Sequence, residues 1–476
     1  MATLERVYSQ NLLKIVLASF AYASAIRPTR ELLLQHFEYV MGIFAHGPSK
    51  HPRDPRTKPP EEEQPYYPKN KTIPKGLTKA AGSIYESILQ IVEQRNRSGQ
   101  KPPKIVIITD LAKDFDDLLA MIALKELHRL GAIELEGFVA NLYPAEKRAR
   151  LGRGALDNLG LQDIPIAEGT PGEPTANHQV LEYEFEGSET FIAPEGTPLP
   201  DGQTLLHDIF TRARDGDYKV TLLTLSSLLD IAEFEKLEPD LLKTAVGRVV
   251  LQGGYSIIDG KLEADQAAAN NNFSIEAARR FHGFMQDNKI PSTCFTKVAT
   301  FATPIYQTFL EELEKTELEV GVYLRAVQLG QDLHYWKCAS GPPEGRFRPF
   351  MDEPWFLSVK TTWYEKHEFD EPGPPGDKIT PWLDKVTAYD CLAAIGAAGE
   401  DILEVLGVTK PIVVRKDAIH PIHKVVGVLP VEDPKDKTKN KPEEANVNGN
   451  AFAVAIKALV LGSLLSVQQG LEGCQT

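Results

Sequence analysis

The sequence predicts an α/β fold in which a mainly parallel sheet is flanked by helices. Three observations carry this expectation. Short apolar, β-branched runs alternate with stretches of helical periodicity through the middle of the chain, the pattern of repeated βαβ units. The first run, Ile105–Thr109 (IVIIT), is continuously apolar, as befits a strand buried on both faces. The composition, 42% hydrophobic and 25% charged over 476 residues, is that of a globular protein with a sizeable core.

In chain order, residues 1–45 have helical spacing, and residues 46–74 are so rich in Pro, Lys and Glu that no helix can hold there. With a further helical stretch at Ala80–Arg97 they make an expected N-terminal extension, residues 1–100, ahead of an α/β domain over residues 101–476. After Pro102 and Pro103 come the strand Ile105–Thr109, a helix at Leu118–Leu130 (LLAMIALKELHRL) and a second strand at Ile133–Ala140, which together form one βαβ unit. Further strands are expected at Ile164–Ala167, Val220–Leu225 (VTLLTL) and Arg248–Gln252 (RVVLQ), each followed by helical sequence. Residues 340–380 and 430–450 are expected to be surface insertions, the loop Glu371–Thr380 and the polar run Pro430–Asn450 among them.

Net charge is −14, from 66 Asp and Glu against 52 Lys and Arg, which excludes the broad basic surface of a nucleic-acid-binding protein and favours a small ligand. The four cysteines, Cys294, Cys338, Cys391 and Cys474, form no close pair, so a disulfide framework or zinc knuckle is not expected and a reducing, cytoplasmic setting fits. The apolar run Leu12–Ala25 is broken by Lys14 and is too short to span a bilayer. Ala451–Leu465 carries Lys457 and Gly462, which predicts a helix packed on the core and no membrane association.

Thr109–Asp117 reads TDLAKDFDD: Asp110, Asp114, Asp116 and Asp117 lie within eight residues, directly after a buried strand and at the start of an apolar helix. Acids are welcome at a helix N-terminus. In a parallel sheet, however, this position lies beyond the carboxyl end of a strand, where ligands bind. Like charges so close raise one another's pKa unless a cation compensates them, and oxygen ligands of this kind suit Ca²⁺ or Mg²⁺.

This turn resembles the opening strand of the inosine/uridine-preferring nucleoside hydrolases, D-T-D-I-G-N-D-x-D-D, which matches Thr109–Asp117 without a gap. Ile108, Ala112 and Lys113 stand where that family has Asp, Gly and Asn. Four further segments follow in the family's order: Val139–Asp157 with Ile164–Gly169, Leu222–Ala232, Val249–Gly254 with Ala268–Ala278, and Thr387–Ala394. The resemblance implies an open Rossmann-like core and a Ca²⁺ ion held by Asp110, Asp117, Asp390 and the main-chain carbonyl of Leu225. It implies Asp110 as general base, and Asp116, Asn141 and Asn270, with Asp114, on the ribose side. It also implies a homodimer or homotetramer.

The family's His before the last Asp is Tyr389, and its Glu and Phe before the sugar-binding Asn are Ala268 and Ala269, Asp265 standing nearby as a replacement. Leaving-group activation is open among Tyr389, His334, His178 and aromatic stacking in the stretch containing Trp336, Trp355, Phe356 and Trp363. The expected activity is Ca²⁺-dependent hydrolysis of the N-glycosidic bond of a ribonucleoside or similar metabolite, with water activated on one face of the sugar and the base assisted on the other. The alternative is a non-catalytic ligand-binding or assembly protein on the same fold. A phosphohydrolase is disfavoured because no D-x-D-x-T pattern follows the strand.

Overall fold

The structure is a computed structural model that describes residues 70–173, 180–258, 261–369, 371–409, 412–413, 422–429 and 441–471. Residues 1–45, for which helical spacing was expected, nearly all of the Pro-rich stretch, His178, Cys474 and residues 430–440 lie outside these. Residues 67–476 form one compact unit.

Its centre is an eight-stranded sheet. The strands are β1 (Lys104–Thr109), β2 (Glu134–Ala140), β3 (Ile166–Glu168), β4 (Val220–Thr224), β5 (Val246–Gly253), β8 (Ser292–Thr296), β11 (Ile412–Val413) and β12 (His423–Val426). Between them in the chain come the antiparallel ribbon β6 (Tyr255–Ile258) with β7 (Lys261–Ala264), and the short pair β9 (Ile305–Tyr306) with β10 (Lys385–Val386). The sheet order is β11-β12-β8-β5-β4-β1-β2-β3, and every neighbouring pair is parallel except β11 with β12. The expected α/β class and the five strands expected from sequence are all present.

β1 shows why its sequence is apolar throughout. Ile105 and Ile107 point into one core, with Leu223 and Val250 from neighbouring strands, while Val106 and Ile108 point into the other, with Leu222 and Val249. A strand with a core on each side has no solvent face to make polar. Register then fixes the site. Thr109 pairs with Ala140 and Ile108 with Thr224, so β1, β2 and β4 end level and Asp110, Asn141 and Leu225 leave the sheet together.

Ser292–Thr296 (STCFT) is a strand that apolar periodicity does not reveal, because Ser and Thr occupy three of its five positions; β-branching and pairing with β5 and β12 make it a strand all the same. Residues 340–380 are more than a surface excursion. Trp336, Phe356, Trp363 and Ile379 are buried in a small core of their own, beneath the Glu353–Lys360 helix.

Three helices build the face behind the site: α1 (Lys79–Arg97), α2 (Asp116–Arg129) and the long helix α3 (Gly449–Gln468). All fourteen residues of α2 are buried, Lys125, Glu126 and Arg129 included. Buried charges require partners. Glu126 accepts from Arg129 (2.6 Å) and from the Tyr85 hydroxyl (2.6 Å), and Lys125 donates to Ser466 Oγ (2.6 Å). Burial alone would raise the Glu126 carboxyl, but the bond from Arg129 and the charges of Lys125 and Arg129 outweigh it and hold it below its usual range. Arg95 ties α1 to the body through the carbonyls of Ala132 (2.9 Å) and Ala398 (2.7 Å), so this helix packs into the α/β unit. α3 is the one helix among the described residues long and apolar enough to cross a bilayer; it packs on α1 and α2.

At Gly462 on α3 the Tyr85 hydroxyl occupies the space a Cβ would need. Gly462→Ala gains about 1 kcal/mol of helix propensity, but overpacking a rigid core costs about 1–3 kcal/mol, and the displaced hydroxyl would also lose Glu126. A lowered melting temperature in thermal denaturation is the expected outcome.

Candidate active site

Asp110 ends β1, and the chain then turns sharply: the amide of Lys113 donates to the Asp110 carbonyl (2.9 Å) with Ala112 at φ 72°, a left-handed position that favours glycine. The turn closes onto α2. One Asp117 oxygen, Oδ1, accepts from both the Thr109 hydroxyl and the Asp110 amide (3.0 Å), so strand end and helix start are bound through a single carboxylate. Asp116 and Asp117 occupy the first turn of α2, where the helix dipole favours negative charge.

Beneath the turn lies Arg148, which sequence reading missed. Its side chain is fully buried; it donates to the carbonyls of Leu111 (2.8 Å) and Tyr143 (3.0 Å) and pairs with Glu184 (2.6 Å). The sequence signal was present but weak: an Arg in the Val139–Asp157 segment at a position that helical periodicity turns inward.

The last carboxylate comes from far along the chain. Asp116 Oδ2 accepts the amides of Tyr389 (2.6 Å) and Asp390 (3.2 Å), the start of helix α4 (Asp390–Ala397), which is drawn head-on against α2. Asp110, Asp114, Asp116, Asp117 and Asp390 thereby line one cleft of about 1330 Å³. Burial raises the Asp116, Asp117 and Asp390 carboxyls well above their usual range, and neighbouring aspartates add to it. Asp110 is pushed up to about 7 by burial and by Asp114, against the opposing charges of Arg148 and Lys113.

Such a cluster fits a hard cation. Oxygens of Asp114, Asp116 and Asp117 lie within 4.8 Å of one another, and the donor set is all oxygen. This trio is not the set the resemblance implies, which was Asp110, Asp117, Asp390 and the Leu225 carbonyl. All five aspartates and Leu225 nevertheless face the same cleft.

The Leu225 carbonyl accepts from Asn270 Nδ2 (2.8 Å), which also meets Gln252 Oε1 (2.8 Å). Asn270 and Asp265 line the cleft. Asn141, expected on the sugar, is not part of the cleft wall: it is fully buried, donates to Asp230 Oδ2 (2.7 Å) and accepts from the Ser226 hydroxyl (2.6 Å). It braces the loop after β4 from behind.

The opposite wall is aromatic. Tyr335, Phe347, Phe350 and Trp355 line it, and Tyr389 lies edge-on to Phe301 with ring centroids 6.1 Å apart. Of the four residues weighed for stacking, only Trp355 reaches the cleft; Trp336, Phe356 and Trp363 fill the small core described above. His334 does not line the cleft and packs between Tyr183 and Tyr335. Tyr389 does line it, and burial with the nearby Asp116 and Asp114 raises its hydroxyl above the usual value.

No family model and no curated protein matches the chain. Solved structures do. The type III effector protein XopQ complexed with adenosine diphosphate ribose is similar with a TM-score of 0.67 and 22% identity, over 82% of this chain and all of that one. The chain shares the XopQ fold. The effector protein XOO4466 is similar with a TM-score of 0.64 and 21% identity, over 82% of this chain and 99% of its own. A plant nucleoside hydrolase is similar at 14% identity, with a TM-score of 0.45, over 75% of this chain and 99% of its own.

The carboxylates make metal binding and pH interdependent. Because they hold protons to higher pH when folded than when unfolded, the metal-free protein loses stability as pH rises from the ordinary aspartate range towards about 7. Chelator-treated protein is expected to melt at lower temperature at about pH 8 than at about pH 5, and added Ca²⁺ to raise the melting temperature more at the higher pH. Differential scanning calorimetry checks both; a pH-independent response to Ca²⁺ contradicts the site.

Proposed function

We propose that this chain is a divalent-cation-dependent hydrolase of N-ribosyl bonds, with Ca²⁺ as the cation. The observation that carries the reading is the convergence of Asp110, Asp117, Asp390 and the Leu225 carbonyl on one cleft at the carboxyl end of the sheet. A cation held by these oxygens would supply charge neutralisation and Lewis acidity toward water. The rest falls to the chain. Asp110, facing the cation site at the end of β1, accepts the proton of the attacking water. Asp116 commits Oδ2 to the α4 amides, which holds Asp390 in place, and presents its second oxygen to the sugar together with Asn270. The aromatic wall takes the leaving base by stacking.

Leaving-group chemistry follows from Tyr389. A neutral phenol with a raised pKa is a weak acid at neutral pH, so it orients the departing group by a hydrogen bond more effectively than it protonates it. The same property favours a second reading, binding without turnover. The XopQ structure in complex with adenosine diphosphate ribose supports the cleft as a ribosyl site under either reading.

A panel of purine and pyrimidine nucleosides assayed for reducing-sugar release in Ca²⁺ separates them. Turnover that chelation abolishes, and that Asp110→Ala lowers by roughly 10²–10⁴-fold, supports hydrolysis. Ligand-induced stabilisation without release of sugar supports binding alone.

A further inference from the structure

Left-handed backbone is costly for any residue with a side chain and persists only where the surroundings enforce it. Among the described residues five other than glycine adopt it. Asp217, Lys289 and Glu317 are exposed and lie two or three residues past the ends of helices. Ala112 (φ 72°) and Leu142 (φ 63°) are buried, and they sit in the turns that follow β1 and β2, at the carboxyl end of the sheet. Neither has a polar side chain to pair with its own backbone.

One guanidinium holds both turns. Arg148, on the Ala145–Asn158 helix, donates from Nη1 to the carbonyl of Leu111 (2.8 Å), the residue before Ala112, and from Nη2 to the carbonyl of Tyr143 (3.0 Å), the residue after Leu142. Nη2 also donates to Glu184 Oε2 (2.6 Å), and this fully buried carboxylate is fixed in turn by the Leu181 amide on Oε1 (3.0 Å). A planar fork reaches two carbonyls and a carboxylate at once, which the point charge of a lysine does not. Arg148 does not line the cleft, so its bonds serve the protein and not a ligand. The turn it grips nevertheless carries two cleft carboxylates, Asp110 on one side of Leu111–Lys113 and Asp114 on the other.

We infer that Arg148 is a positioning residue for the cation site: its guanidinium locks the turns after β1 and β2 to each other and so sets where Asp110 and Asp114 stand in the cleft. The inference rests on the cleft holding a cation, as proposed above. Groups that hold metal ligands from behind typically govern affinity by about 10–100-fold.

The test is metal binding alone. The full chain, freed of metal by chelation, is titrated with Ca²⁺ by calorimetry and with Tb³⁺ by luminescence, whose decay in H₂O and D₂O counts the waters left on the ion. Arg148→Lys keeps the charge and loses the fork. Arg148→Met with Glu184→Gln removes both buried charges together, so that neither is left without the other. Both variants are expected to bind Ca²⁺ about 10–100-fold more weakly than wild type and to leave more water on Tb³⁺. Arg153→Lys is the control: Arg153 stands on the same helix and likewise donates to two carbonyls, of Ile164 (2.7 Å) and Leu161 (3.0 Å), but these precede β3, at the amino end of the strands. It is expected to keep wild-type affinity and hydration. Circular dichroism checks each fold, and Arg148→Lys decides if the double variant does not fold. Wild-type affinity and Tb³⁺ hydration in Arg148→Lys overturns the positioning role and leaves the cation site standing, and so does an equal loss in Arg153→Lys. Wild-type protein that binds neither Ca²⁺ nor Tb³⁺ overturns the cation site and the inference together.

Discussion

The structure turns on the burial of like charge at the end of one strand. Asp110, Asp116, Asp117 and Asp390 are almost wholly removed from water, and the carboxyl of each is raised by burial and by neighbouring aspartates. A surface aspartate would be solvated at no cost, whereas buried charges must be met by something fixed. Much of the surrounding architecture answers this need. The N-terminus of α2 is aimed at the cluster, Arg148 lies beneath the turn, and Thr109 and the Asp110 amide share one oxygen of Asp117. These devices are local dipoles and the charges of Arg148 and Lys113. They hold the geometry but leave the charge incompletely matched, which is the condition under which a site takes up a metal ion.

The fold was legible where one physical cause dominated. β1 from Ile105 onward and β4 are buried on both faces, so their sequences carry a largely apolar signal, and the acidic turn stood out because four of the eight residues 110–117 are aspartates. β8 and β12 were invisible for the opposite reason. STCFT and HKVV are held by pairing with neighbours remote in sequence, and Ser292 even uses its hydroxyl internally, against His423 Nδ1 (2.8 Å). His423 is fully buried in β12.

At the site the same distinction holds. Motif order brought Asp110, Asp114, Asp116, Asp117, Leu225, Asn270, Tyr389 and Asp390 to one cleft, because each sits at an element boundary that the motif itself encodes. Asn141 also sits at a strand end, yet its side chain turns inward to Asp230 and Ser226, and side-chain direction at a loop is not written in spacing. The aromatic stretch divided for a related reason. Trp336, Phe356 and Trp363 bury one another, as large rings ordinarily do, and of the four only Trp355 remains for the cleft, with Tyr335, Phe347 and Phe350.

The bond from Asp116 to the amides of Tyr389 and Asp390 joins residues 273 and 274 positions apart. Such a contact is among the slowest to form, because a long loop must close before it yields anything. As the chain emerges from the ribosome, β1 and its acidic turn therefore exist for most of synthesis without their final partner, and the aspartates remain hydrated during that time. The centre is completed only when nearly the whole protein is present, so an incomplete chain carries the motif but not the site.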